Sequence, residues 1–139
     1  MGDRAIVIFY DRDRVSPVVY LHCNGEHVPA WLNELREVMR GREDDAGYGC
    51  ARFIGLCHTK IEGPLSLGTW NLPARLAKSV ASPDREPERA RALARYSHGD
   101  AGVVLVNAAD YTWRAYGGYL ATPTKTGVVT ATLSAKPGG

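Results

Sequence analysis

The segment Ser97-His98-Gly99-Asp100-Ala101-Gly102 places an imidazole, a carboxylate and two glycines directly before the apolar run Val103-Val104-Leu105-Val106. Glycines let a chain curl so that successive backbone N–H groups point the same way, and such a curl can cradle phosphate oxygens. In that reading His98 donates to a phosphate, Gly99 opens the curl, and Asp100 accepts from a ribose hydroxyl or a base amino group. The plainer reading is a turn entering a strand, with Asp100 bonded to its own backbone. A second polar corner groups His22, Asn24 and Gly25, where a strand pattern passes into a helix whose first amides favour anions. Asn24-Gly25 also reads as a simple turn that adopts positive φ.

Aromatic and basic residues stand near these corners. Trp70 and Asn71 close one apolar segment, Trp113, Arg114 and Tyr116 lie along another, and Arg52 borders the buried face of a helix. Aromatic faces stack on purines and arginine forks hold phosphates. Arg52, Trp70, Asn71, Arg114 and Tyr116 therefore join His22, Asn24, His98, Gly99 and Asp100 as candidate ligand-binding residues. Core filling accounts for at least one tryptophan, and a solvated helix position accounts equally for Arg52.

Other chemistries fit less well. His22-Cys23 and Cys57-His58 are adjacent pairs, whereas structural zinc sites use close spacings such as C-x-x-C, and neighbours on a strand point to opposite faces. No metal site and no cofactor site is predicted. Cys50 and Cys57 fall seven apart on the apolar face of a helix, where cysteine acts as a small hydrophobe. Cys23, at a strand end, is better placed to react, but packing explains it too. No catalytic residue is assigned.

These residues need a scaffold. Residues 4–10 and 17–23 are rich in β-branched and aromatic types and are joined by the polar stretch Asp11–Ser16, the pattern of a hairpin or of adjacent antiparallel strands. Trp31, Leu32, Leu35, Val38 and Met39 recur at helical spacing on a helix beginning near Pro29 and stopping at Gly41. Cys50, Phe53, Ile54, Cys57 and Ile61 mark a second helix ended by Gly63-Pro64. Residues 65–71 read as a third strand in which Gly68 marks a bulge or a close approach by a ligand or backbone. A short helix fits 73–81. Asp84–Arg95 holds seven charges in twelve residues and reads as a solvated helix or a mobile loop. Residues 101–108 and 111–120 form a second hairpin. The expected fold is α+β, an antiparallel sheet with two main helices packed on one face, in a single domain over 1–120. The acid-free tail, 121–139, reads as partly disordered or as one extra strand at 127–133.

Composition bounds the rest. The chain has 139 residues, 45% hydrophobic and 23% charged, with a formal net charge of +2. That is enough chain to bury a core, and too little basic excess to bind duplex nucleic acid through a broad field. A small anionic ligand needs only a local pocket. The apolar runs are strand-sized, which predicts no membrane span, and no signal peptide pattern precedes the first strand. Three cysteines without an export signal fit reduced thiols in a cytoplasm.

The ordered segments 16–25, 51–55, 65–71, 97–106 and 116–120 resemble small uncharacterised proteins of phages and prophages, and are similar to the Thoeris anti-defence family of nucleotide sponges. The resemblance spans residues 4–120 and departs at Cys23, where the family carries an aromatic. It implies a homo-oligomer in the cytoplasm of an infected or lysogenic bacterial host. Such a protein captures a small nucleotide-derived ligand, a cyclic ADP-ribose isomer or a cyclic oligonucleotide, without cleaving it. Two other functions fit the residues: a nucleotide or phosphoester enzyme with His98 or His22 as general base oriented by Asp100, and an inhibitor that docks on a host protein.

Overall fold

Ala5-Ile6-Val7-Ile8-Phe9 is apolar without a break, the pattern of a strand buried on both faces. In the computed structural model, which describes residues 2–63 and 66–121, this segment lies in β1 (Ala5–Tyr10), and none of the five is more than 1% exposed. Ala5, Val7 and Phe9 enter one core; Ile6 and Ile8 enter another on the opposite side. β2 (Val18–Leu21) pairs antiparallel with β1, and β3 (Leu67–Trp70) pairs antiparallel with β2. On the other side lie β4 (Gly102–Asn107) and then β5 (Thr112–Tyr116), giving the order β3-β2-β1-β4-β5.

The class is α+β, and the β1–β2 and β4–β5 pairs are antiparallel hairpins. The sheet is mixed, however. β1 and β4 run parallel, in register from Ala5–Gly102 to Tyr10–Asn107. A parallel neighbour requires a long crossover, and everything between the two strands supplies it. The apolar patterns of both strands are the same in either direction, so they carry no sign of this orientation.

α1 (Val28–Val38) and α2 (Ala46–Lys60) share a core with Ala5, Val7 and Phe9. Trp31, Leu32 and Leu35 are the inward stripe of α1; Cys50, Phe53 and Cys57 serve α2. Asp45 caps α2, its carboxylate accepting from the Tyr48 N–H at 3.0 Å. α3 (Ala74–Val80) and α4 (Glu86–Tyr96) pack on the opposite core, over Ile6, Ile8, Val18, Val103 and Leu105. The sheet is thus the middle of three layers. The charged segment 84–95 is mostly this α4, and Leu93 and Arg89 are buried in it, 0% and 4% exposed. The sequence pattern missed this stripe because one of its members is an arginine. The expectations for Pro64, Leu65 and the tail beyond residue 121 lie outside the described residues.

The turn after β1 depends on Asp11, 7% exposed. Its Oδ1 accepts from the Asp13 and Arg14 N–H groups at 2.7 and 2.9 Å, and its Oδ2 from the Ala46 N–H at 2.7 Å. One carboxylate therefore ties the β1–β2 turn to the start of α2, where negative charge is also favoured by the helix dipole. Burial pushes the Asp11 pKa up, but its backbone donors more than offset this and hold it below the ordinary value. A depressed folded pKa means that the stabilisation is present above about pH 4, the unfolded value, and is lost as pH falls through the folded one. We expect Asp11→Ala to cost about 2–3 kcal/mol in urea unfolding at pH 7. Asp13→Ala should stay within about 0.5 kcal/mol, and Asp11→Asn should flatten the acid limb of the stability profile.

Candidate functional site

Alternation along β2 sends Val18 and Tyr20 to the α3–α4 side of the sheet, and His22 continues that face just past the strand end. The register sets Gly68 opposite Tyr20 and Trp70 opposite Val18. Gly68 has no side chain to separate its neighbours: a Cβ there would lie 3.7 Å from the Trp70 ring and 3.8 Å from that of Tyr20. The two rings close over this glycine with centroids 5.6 Å apart. The Cβ distances are ordinary contact distances and the register runs through Gly68 without a bulge, so the bulge or close backbone approach expected there is not seen; side chains pack over it.

Three further rings complete the surface. The Tyr20 hydroxyl is 3.0 Å from His22 Nδ1, and the His98 ring centroid lies 5.7 Å from that of Tyr20. Trp70 donates its indole N–H to the Tyr96 hydroxyl at 2.7 Å, which anchors the tryptophan to the last turn of α4. His22, Trp70 and His98 remain exposed, with Trp70 at 38%. β2, β3, α4 and the α4–β4 connection therefore contribute Tyr20, His22, Trp70, Tyr96 and His98 to one aromatic surface at the β3 edge.

The backbone of 97–102 has a different role. Gly99, Asp100 and Gly102 all take positive φ. The Gly99 N–H donates to Ser97 Oγ, the Ala101 N–H to the Arg4 carbonyl, and the Gly102 N–H to the Gly99 carbonyl. These three amides are engaged within the chain, as in the plainer reading of the segment as a turn. Asp100 Oδ2 accepts from both the backbone N–H and Nε of Arg4, at 3.0 and 2.9 Å. Those two bonds, Arg4's charge and the nearby His22 hold its carboxyl below the usual range despite some desolvation. Among the described residues no hydrogen bond joins Asp100 to either imidazole, so it does not orient a histidine base.

The remaining candidates lie elsewhere. Asn24 takes φ 74 in a turn, and its carbonyl accepts from the His27 N–H; its side chain caps nothing. Asn71 is exposed just past β3. Arg52 is on α2, across the sheet from the rings, where it and Arg42 bracket Tyr48 at 4.8 and 3.9 Å from the ring centroid. The Arg52 hydrogen bond and the charges of Arg42 and Arg52 pull the Tyr48 hydroxyl below its ordinary pKa. Arg114 and Tyr116 belong to β5, the edge opposite β3 and so about 19 Å from Trp70 at ~4.8 Å per strand. Tyr116 is buried and donates to Glu86 at 2.9 Å. Trp113 is core, 4% exposed. Of the ten candidates named from the sequence, only His22, Trp70 and His98 share the ring surface, with Gly99 and Asp100 forming the turn beneath His98.

Tyr20 and Tyr96 were missed. Tyr20 was legible, since it stands two residues before His22 on the same strand face. Tyr96 was not, because only the packing of α4 brings it to Trp70.

The chemistry available is stacking and hydrogen bonding. Burial raises the Cys50 thiol, and pushes the Cys57 thiol up to about 12, so neither supplies a thiolate nucleophile near neutrality. Among the described residues no group of three or more His, Cys, Asp and Glu side chains is placed to hold a metal ion, and no helix there is long and apolar enough to cross a membrane. Fold and site together define a three-layer α+β domain carrying an exposed aromatic–imidazole surface at one sheet edge. No protein-family model, no curated protein and no solved structure matches the chain. Thiol titration with Ellman's reagent at pH 8 should detect at most one reactive cysteine in the native protein, Cys23, with Cys50 and Cys57 appearing only on unfolding.

Proposed function

We propose that the protein binds a small nucleotide-derived ligand on the ring surface and holds it without chemical change. The observation that carries this reading is the convergence of Trp70, Tyr20, His22 and His98, from separate elements, on one exposed face. Aromatic faces stack on bases whatever their sequence, at about 1–3 kcal/mol per base. Imidazole N–H groups can donate to phosphate oxygens alongside that stacking. Turnover has less support: Asp100 is taken up by Arg4, and the two helix cysteines are held protonated. The resemblance to the Thoeris anti-defence family supports a cyclic ADP-ribose isomer or a cyclic oligonucleotide as the ligand. It also supports sequestration of an immune signal in a phage-infected bacterium as the role. In this reading the protein is a homo-oligomer, and a second copy covers the ligand face left open around Trp70.

The test is to incubate the purified protein with a pool of cyclic and linear nucleotides, filter it out, and release bound material by heating. Mass spectrometry should find one species depleted from the filtrate and recovered intact. Trp70→Ala and His98→Ala should each weaken its capture at least tenfold, a loss of about 1.4 kcal/mol or more. Arg52→Ala, across the sheet, should leave it unchanged. Recovery at a changed mass would make the protein an enzyme, and no depletion at all would move the surface to a protein partner.

A further inference from the structure

β1 and β4 lie side by side and parallel, and beyond their carboxyl ends the chain departs in opposite directions, from β1 towards β2 and from β4 towards β5. Such divergence leaves a crevice, the usual ligand position in open sheets with parallel neighbours. Here it is a cleft of about 280 Å³ walled by Tyr10, Glu86, Arg89, Asn107 and Arg114. It shares Tyr10, Pro83 and Asn107 with a second space of about 660 Å³. The combined space is of the size that small-molecule sites occupy, roughly 300–1,000 Å³.

The polar groups of the cleft do not cancel. The Arg89 side chain is 5% exposed; its Nε donates to Glu86 Oε1 at 2.9 Å, its Nη2 lies 2.8 Å from the same oxygen, and its Nη1 donates to the Val80 carbonyl at 3.2 Å. A guanidinium carries five N–H donors, so two remain. Glu86 Oε2 already accepts from the Tyr116 hydroxyl at 2.9 Å. Arg114, 46% exposed, reaches that oxygen only at 3.5 Å. Two guanidinium groups thus face one carboxylate. Tyr116 ties α4 to the sheet through Glu86, and Arg89 ties α4 to α3 through the Val80 carbonyl; Arg114 is surplus to both. Asn107 adds a directed donor, because its Oδ1 accepts from the Ala109 N–H at 3.0 Å and its NH₂ is left over.

We propose that this cleft is a second binding site, separate from the ring surface, which takes a small organic molecule by its phosphate or carboxylate group. The oxyanion sits between Arg114, the spare Arg89 N–H groups and the Asn107 amide, where arginine forks and desolvation both strengthen the contact. The rest of the molecule runs past Tyr10 and Pro83 into the adjoining space.

The probes are inorganic phosphate and acetate, titrated separately into the full chain while ¹H–¹⁵N spectra follow the Arg89 Nε–H and the Asn107 side-chain amide. Both signals should shift and saturate together with one probe; phosphate as the stronger assigns a phosphate-bearing ligand, acetate a carboxylate. Arg114→Gln should weaken that binding at least tenfold, and Asn107→Ala should also weaken it. Both leave the Arg89–Glu86 pair in place, so they report on binding even if Arg89 itself tolerates no change. Trp70→Ala should have no effect, which separates this site from the ring surface. Shifts that never saturate, or that are the same in Arg114→Gln, would overturn the proposal. So would dependence on Trp70.

Discussion

The parallel pairing of β1 with β4 is the constraint on which the rest of the molecule rests. It places the most apolar segment at the centre of the sheet, where Ile6, Val7, Ile8 and Phe9 are sealed from water on both faces. At about 1.5–3 kcal/mol per large apolar side chain, those four bring roughly 6–12 kcal/mol of burial, an upper figure on an extended-chain reference. Because both faces of β1 are apolar, both must be covered, and the four helices divide between them. The same pair also determines where polar chemistry collects. Arg4 meets Asp100 beside its amino ends, next to the turn that carries His98, while Tyr10 and Asn107 floor the cleft at its carboxyl ends.

Four acids of this chain join segments far apart in sequence. Asp11 links the β1–β2 turn to α2, and Asp100 links Arg4 to the entry of β4. Asp3 accepts from the Glu26 N–H and the Tyr119 hydroxyl, and Glu86 joins α4 to β5 through Tyr116. The Asp11 tie satisfies a buried donor that would otherwise be left without a partner as water is excluded. What the four ties leave towards solvent is rich in donors and rings. A chain with a net charge of only +2 carries no broad basic field.

Most of the elements were legible because their signals are local. Alternation in 17–23, helical spacing in 31–39 and 50–61, and the glycines of 97–102 each depend on residues within one or two turns of one another. What stayed hidden depends on residues distant in sequence. No pattern within 5–10 or 102–107 gives their relative direction. The plainer reading of Ser97–Gly102 as a turn could not be separated from the phosphate one locally, because Arg4, nearly a hundred residues earlier, takes up both the Asp100 carboxylate and the Ala101 amide. Arg89 looked like one more solvated charge, and only the packing of α4 shows it as a buried donor over the Tyr10 ring. The candidate surface was half visible: His22, Trp70 and His98 stood out by residue type, whereas their partners Tyr20 and Tyr96 follow from strand face and helix packing.

The β1–β4 pair also has a consequence for how the protein is made. The ribosome delivers β1 early and β4 about a hundred residues later, a delay of roughly 5–20 s at ordinary elongation rates. During that interval β2 can occupy one edge of β1 and the helices, all made before residue 102, can cover its faces, but the other edge has no partner. The inner edge of the most apolar strand therefore stays open until β4 arrives, and contacts of such long sequence separation slow the final closure further. Demand for holding chaperones should fall on this N-terminal hairpin, and slowing translation before residue 102 should lengthen its exposure.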